Sequence, residues 1–192
     1  ILENVVDFTH EWLHRKYKPF QDAKLTRLEA TDEAVEVSYN CDVGRGGLVE
    51  HFVDHDGIDT GAMDLGFHYP HQWSDTGGFI RHWMFVMPID ERTTRAFFLF
   101  HFTHFKVPFT PFKLPRALMT PIIRITNKLV FDPLLAEDGW AVEAEQDAWE
   151  RHFDMPVAEV NPVIKAMQEL SISKWSEHME ASGGREIPRH AA

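Results

Sequence analysis

His10 and His14 stand four residues apart in the stretch Val6-Asp7-Phe8-Thr9-His10-Glu11-Trp12-Leu13-His14, and Asp7 precedes the first of them by three. Read as a helix from Glu3 to about Tyr17, closed by Pro19, this spacing sends all three side chains from nearly one face. Two imidazoles on one helical face are half of a metal site. The other half must come from elsewhere in the chain, and its identity decides what the site does.

Taken literally, His10-Glu11-Trp12-Leu13-His14 matches H-E-x-x-H, in which two histidines hold zinc and the glutamate is the general base of a metalloprotease. The surroundings suit that chemistry poorly. Charged Arg15 and Lys16 follow the second histidine, and Tyr17 and Phe20 stand where the extended motif places Gly and His. The nearest candidate glutamates, Glu29 and Glu33, fall in a β-like hairpin rather than on a following helix.

A wider pattern takes in Glu3-Asn4-x-x-Asp7-x-x-His10-x-x-x-His14 and, late in the chain, Leu135-Ala136-Glu137-Asp138-Gly139-Trp140-Ala141-Val142-Glu143-Ala144-Glu145-Gln146. Between them lies Phe85-Val86-Met87-Pro88-Ile89-Asp90-Glu91-Arg92-Thr93-Thr94-Arg95, and a closing helix covers Asn161 to Trp175. Over nearly its whole length the chain resembles the catalytic, C-terminal domain of the Rieske non-haem iron oxygenases, the ring-hydroxylating oxygenase α subunits. Within them it is most similar to the pheophorbide and chlorophyllide oxygenase branch and related demethylases. The resemblance implies that His10, His14 and Asp138 form a 2-His-1-carboxylate triad on Fe(II), with positions left open for dioxygen. It implies that Asp7 links an iron histidine to a cluster histidine of a neighbouring subunit in a homotrimer, and that Asn4 lies near the site. Electrons would come from a Rieske [2Fe-2S] cluster, and the substrate would be an apolar, ring-containing molecule that is hydroxylated or oxidatively demethylated.

Two departures bear on this. Many family members put four residues between the histidines and this chain puts three, a gap that aligns imidazoles better on a regular helix. Cys41 is the only cysteine, so the two Cys-His pairs of the cluster cannot be supplied here. The cluster is expected on a missing Rieske domain, or electrons come from a separate ferredoxin or reductase.

The elements that must position these groups follow from periodicity. Lys24 to Glu29 and Ala34 to Asn40 read as strands around a Thr31-Asp32-Glu33 turn, and Asp42 to Asp64 as a long Gly- and Asp-rich loop with a short strand at Leu48 to Val53. Strands are expected at Leu65 to Trp73, Phe79 to Pro88 and Thr94 to Val107, and Ala96 to Phe102, apolar on both faces, is expected in the middle of a covered sheet. Helices follow around Leu118 to Leu129, Leu134 to Phe153 and Pro162 to Met179, the last with Ile164, Met167, Leu170 and Trp175 on its apolar side. This order argues α+β, an antiparallel sheet with C-terminal helices in a helix-grip (START/Bet v1-like) arrangement. Residues 1–180 form the catalytic domain and 181–192 a disordered tail. The aromatic strands offer Trp83, Phe85, Phe98 and Phe100 as substrate-binding residues.

A formal charge of -11, from 19 basic against 30 acidic residues, argues against nucleic acid and anionic membranes as partners. No apolar run approaches a membrane span. A lone cysteine fits a reducing compartment, the cytoplasm. The chain begins at Ile1, one helical turn ahead of its histidines, as expected of a domain cut from something longer. His51 and His55 with Asp54 and Asp56 are a second, weaker ligand cluster on a poor scaffold, and His101 and His104 point to opposite strand faces. His68, His71 and His82 read as satisfied core or pocket histidines, and Glu11 as a solvated helix residue. The same helix-grip plan also serves hydrophobic-ligand carriers, which have no need for a converging triad.

Overall fold

The computed structural model describes residues 1–14, 19–43, 51, 61–90, 93–107, 109–152 and 159–183. Alternation builds the sheet. In Ala34–Val43 (β2), Val35, Val37, Tyr39, Cys41 and Val43 are buried and the residues between them are not, the period of two expected when one strand face packs on a core. With Phe20–Ala30 (β1), Ala62–His68 (β3), His71–Thr76 (β4), Ile80–Pro88 (β5) and Thr94–Phe102 (β6) it forms one antiparallel sheet in sequence order. Register carries one inner-face row across it: Val37, Leu65, Ser74, His82 and Phe100.

The helices are Leu2–Val6 (α1), Arg116–Thr126 (α2), Asp132–His152 (α3) and Pro162–Ala181 (α4), with a π-helical turn, Asn127–Phe131, joining α2 to α3. α4 starts cleanly because the Asn161 side chain accepts from Val163 N at 2.9 Å and Pro162 has no N–H to satisfy. Val163, Met167 and Leu170, at i, i+4 and i+7, are its buried face. They join Val6, Phe8 and the inner residues of β2 and β3 in the main core, each contributing roughly 1.5–3 kcal/mol by leaving water. Gln168 Nε2 donates to Glu3 Oε1 at 2.7 Å and the Tyr39 hydroxyl to the Val6 carbonyl at 3.3 Å, which fixes α1 against both α4 and the sheet. The result is the expected α+β helix-grip arrangement. Cys41 is buried in this core, and burial pushes its thiol up to about 11. Among the described residues no helix is long and apolar enough to cross a membrane.

Several expectations need correction. The first helix stops at Val6, and His10 and His14 lie in a separate turn rather than on a continuous helix. The stretch Leu65 to Trp73 is two strands, because Tyr69 and Pro70 make a tight turn where proline cannot donate to the ladder. Ala96 to Phe102 lies in an edge strand, not a central one, with Phe97 at 49% and Leu99 at 58% exposure on the uncovered side. β6 ends at Phe102, short of Val107. β2 and β3 take up both ends of the expected long loop. The helices around 118 and 134 form one helical run through the π turn. On α4, Val163 and not Ile164 is buried deepest, and Trp175 is exposed. The expected strand at 48–53, the Asp54, His55 and Asp56 ligands and residues 184–192 of the tail lie outside the described residues apart from His51, whose ring sits 5.0 Å from that of Phe109.

Candidate metal centre

Past α1, Asp7 turns to extended backbone and its Oδ1 accepts from both Thr9 N and Thr9 Oγ1 at 2.7 Å. The chain then folds into a short turn in which Leu13 N donates to His10 O at 2.9 Å and His14 N to Glu11 O at 3.2 Å. A turn with this spacing does the work expected of a helix: the two imidazole centroids are 5.2 Å apart. Glu11 is not a free surface group. Its Oε2 accepts from Asp22 N at 2.5 Å, where β1 breaks register and Asp22 takes a φ of 52°, so Glu11 staples the histidine turn to the edge strand.

Phe20, 6% exposed at the first position of β1, is a wedge beneath both histidines. Its ring lies edge-on at 5.3 Å from His10 and 5.7 Å from His14, and 4.7 Å from Phe8, which packs on Tyr39. Nothing in the sequence pattern distinguishes Phe20 from an ordinary core aromatic.

The third group arrives from α3. Asp138 Oδ1 is 3.2 Å from His14 Nε2 and 3.8 Å from His10 Nε2, and ligand atoms of His10, His14 and Asp138 lie within 4.8 Å of one another. Asp138 Oδ1 is buried without a hydrogen-bond partner despite these contacts, as is His10 Nδ1. An orphaned buried polar atom costs about 1–3 kcal/mol, and this carboxylate oxygen lies close to both Nε2 atoms without an aligned hydrogen bond to either. Two imidazoles and one carboxylate are a donor set that fits a divalent transition metal. Burial holds His10 below its ordinary pKa against the opposing charges of Asp138 and Asp7, so it is the neutral form a metal requires. Burial also disfavours protonated His14, but Asp138 and Glu137 outweigh it and raise its pKa.

The remaining candidates separate by strand face. Trp83 pairs with Leu99 and Phe85 with Phe97 on the outer face, whereas Phe98 and Phe100 are on the inner one. The two pairs therefore do not line one pocket. Phe98 and Phe100 stack at 5.9 Å, and Phe131 of the π turn lies 5.0 Å from Phe100. Asn4 is half-buried on α1.

Beside the aromatic pair runs a polar strip that sequence reading did not single out as a unit. Gln72, Ser74 and Thr76 are buried on β4, Ser74 Oγ lies 2.8 Å from His82 Nδ1, and His82 Nε2 is 3.0 Å from Gln72 Oε1. Burial pushes His82 down to about 4. Between the ordinary value near 6.5 and about 4 the unfolded chain therefore binds a proton that the folded chain refuses, so stability falls with pH across that window and levels off below it. The loss attached to His82 is on the order of 3 kcal/mol. Urea unfolding at pH 7 and pH 4.5 is expected to show this drop in the parent and a smaller one in His82→Gln; equal drops would remove His82 as the cause.

Residues 1–179 match the family model of the vanillate O-demethylase oxygenase C-terminal domain. A 4beta-methylsterol monooxygenase of Methylococcus capsulatus is 42% identical over 192 residues, covering 100% of this chain and 52% of that protein. The chain thus spans about half the length of this curated relative. No solved structure matches it. With a matching family model over nearly its full length, the chain belongs to the Rieske-type oxygenase catalytic domains, in the family of the vanillate O-demethylase oxygenase C-terminal domain.

Proposed function

We propose that this chain is the oxygen-activating domain of a Rieske-type monooxygenase that hydroxylates a methyl-bearing, apolar polycyclic substrate of the methylsterol kind. The observation that carries the proposal is the convergence of His10, His14 and Asp138 within 4.8 Å, in a chain similar over its whole length to a methylsterol monooxygenase. His10 and His14 through Nε2 and Asp138 through Oδ1 would hold Fe(II). Bound there, Fe(II) supplies the activation of dioxygen, with electrons from a [2Fe-2S] cluster that one cysteine cannot build.

The protein's own groups have separable tasks. Phe20 and Phe8 hold the histidine turn rigid and exclude water from its inner side. Phe98, Phe100 and Phe131 offer flat apolar surface to a ring system, and the neutral His82–Ser74–Gln72 strip gives that wall hydrogen-bonding capacity without charge. Trp83 and Phe85 lie on the opposite face of the sheet from these rings. Asp7, whose charge acts on His10, is the residue through which a donor domain of a neighbouring subunit in a trimer would reach the site. Under the protease alternative Glu11 would be the base, but it is engaged by the Asp22 amide.

The test is turnover of the Fe(II)-loaded chain supplied with a Rieske-type electron donor. A methylsterol is expected to gain a hydroxyl whose oxygen derives from labelled dioxygen, and the same sterol lacking the methyl group is expected to give no product. Tight sterol binding with no turnover, under a donor shown to deliver electrons, would overturn the proposal in favour of a hydrophobic-ligand carrier.

A further inference from the structure

We propose that Glu137 is the positioning residue for the metal site: it holds the single proton of neutral His14 on Nδ1 and so keeps the Nε2 lone pair free for a cation. The inference rests on the metal-site reading for its purpose, but not for its geometry.

A neutral imidazole has one N–H, and in His14 both ring nitrogens face a carboxylate. Glu137 Oε2 lies 3.1 Å from Nδ1 in hydrogen-bonding alignment. Asp138 Oδ1 lies 3.2 Å from Nε2 without that alignment and is left unsatisfied. The proton is therefore better placed on Nδ1, where it donates to Glu137, than on Nε2. Without Glu137 the preference reverses. Nε2–H would then turn toward Asp138, and one proton would block a histidine ligand and a carboxylate ligand together. His14 is 2% exposed, so water does not readily replace the missing acceptor.

Two further observations favour Glu137 over the other nearby acid. Asp7 has committed Oδ1 to Thr9, and His10 Nδ1 has no hydrogen-bond partner. Of the two candidate ligand imidazoles, then, the one whose second nitrogen meets a carboxylate is His14. Glu137 and Asp138 are also consecutive on α3, so one placement of that helix sets both sides of the His14 ring together. Ligating histidines depend on such outer hydrogen bonds for tautomer, orientation and basicity.

The experiment reads ring nitrogen shifts of 15N-histidine-labelled, metal-free protein at alkaline pH, where His14 is neutral. The parent is expected to show His14 protonated on Nδ1. Glu137→Gln keeps an acceptor oxygen and is expected to keep that tautomer; Glu137→Ala is expected to move the proton to Nε2. Co(II) affinity, followed by its visible bands, should then fall about 10–100-fold in Glu137→Ala and only a few-fold in Glu137→Gln. An Nε2-protonated His14 in the parent, or a tautomer indifferent to Glu137→Ala, overturns the inference. Because the nitrogen shifts are read without metal, failure of the parent to bind Co(II) or Fe(II) would count against the proposed function and leave the tautomer result standing.

Discussion

Asp138→Ala is expected to abolish stoichiometric Fe(II) binding while leaving the protein folded. The variant removes the anionic member of the donor set, so its effect should exceed the roughly 10–100-fold typical of an outer hydrogen-bonding partner. Its structural cost should be small. Asp138 Oδ1 is an unsatisfied buried acceptor next to Glu137, so its removal relieves about 1–3 kcal/mol of desolvation penalty and offsets the lost attraction to His14. Glu11→Ala separates the two metal readings. It breaks the bond from Asp22 N and should cost about 1 kcal/mol of stability, with Fe(II) binding retained. Metal analysis after anaerobic loading, paired with urea unfolding of both variants, measures these outcomes. An Asp138→Ala protein that keeps its iron would remove Asp138 from the site.

Phe20→Ala should have the largest effect on the fold of any single change near the site. Deleting a phenyl ring at 6% exposure leaves a cavity bounded by Phe8, His10 and His14, and such deletions cost about 3–5 kcal/mol. Against a typical total of about 5–15 kcal/mol that is a large fraction. The metal site should suffer as well, because both imidazoles lose the surface that fixes their rings. Phe20→Leu, which refills part of the volume, should recover most of the stability and part of the affinity. A shift in urea midpoint no larger than that of a surface substitution would show that the histidine turn does not lean on this ring.

The legible parts of the candidate site are those carried by residue type and spacing. Histidines four apart meet whether the backbone between them is a helix or a tight turn, so His10 and His14 were identifiable although the helix expected to carry them ends at Val6. Asp138 was legible only through its surroundings. An acid in the first turns of a helix has an ordinary electrostatic reason to be there, and the resemblance around Glu137 and Asp138 was what set it apart.

What stayed hidden depended on tertiary placement. The run Ala96 to Phe102 looked central because both of its faces are apolar, yet strand order put it at the sheet edge, with Phe98 and Phe100 inside and Phe97 and Leu99 outside. Composition records how apolar a strand is, whereas its neighbours decide which face is covered. The same limit applied to Trp83 and Phe85, whose register with Leu99 and Phe97 places them opposite the proposed pocket. The role proposed for Glu137 requires knowing which imidazole nitrogen it meets, and no spacing rule supplies that. The alternation of β2, in contrast, gave its buried face directly, because a period of two needs no knowledge of the partner strand.

The most direct test of the central claim is the metal content of the protein prepared anaerobically with Fe(II) and Zn(II) both available. Stoichiometric iron in the parent, lost in Asp138→Ala and kept in Glu11→Ala, is the predicted result. Zinc held in place of iron and indifferent to Asp138, or no stoichiometric metal in any preparation, would contradict it.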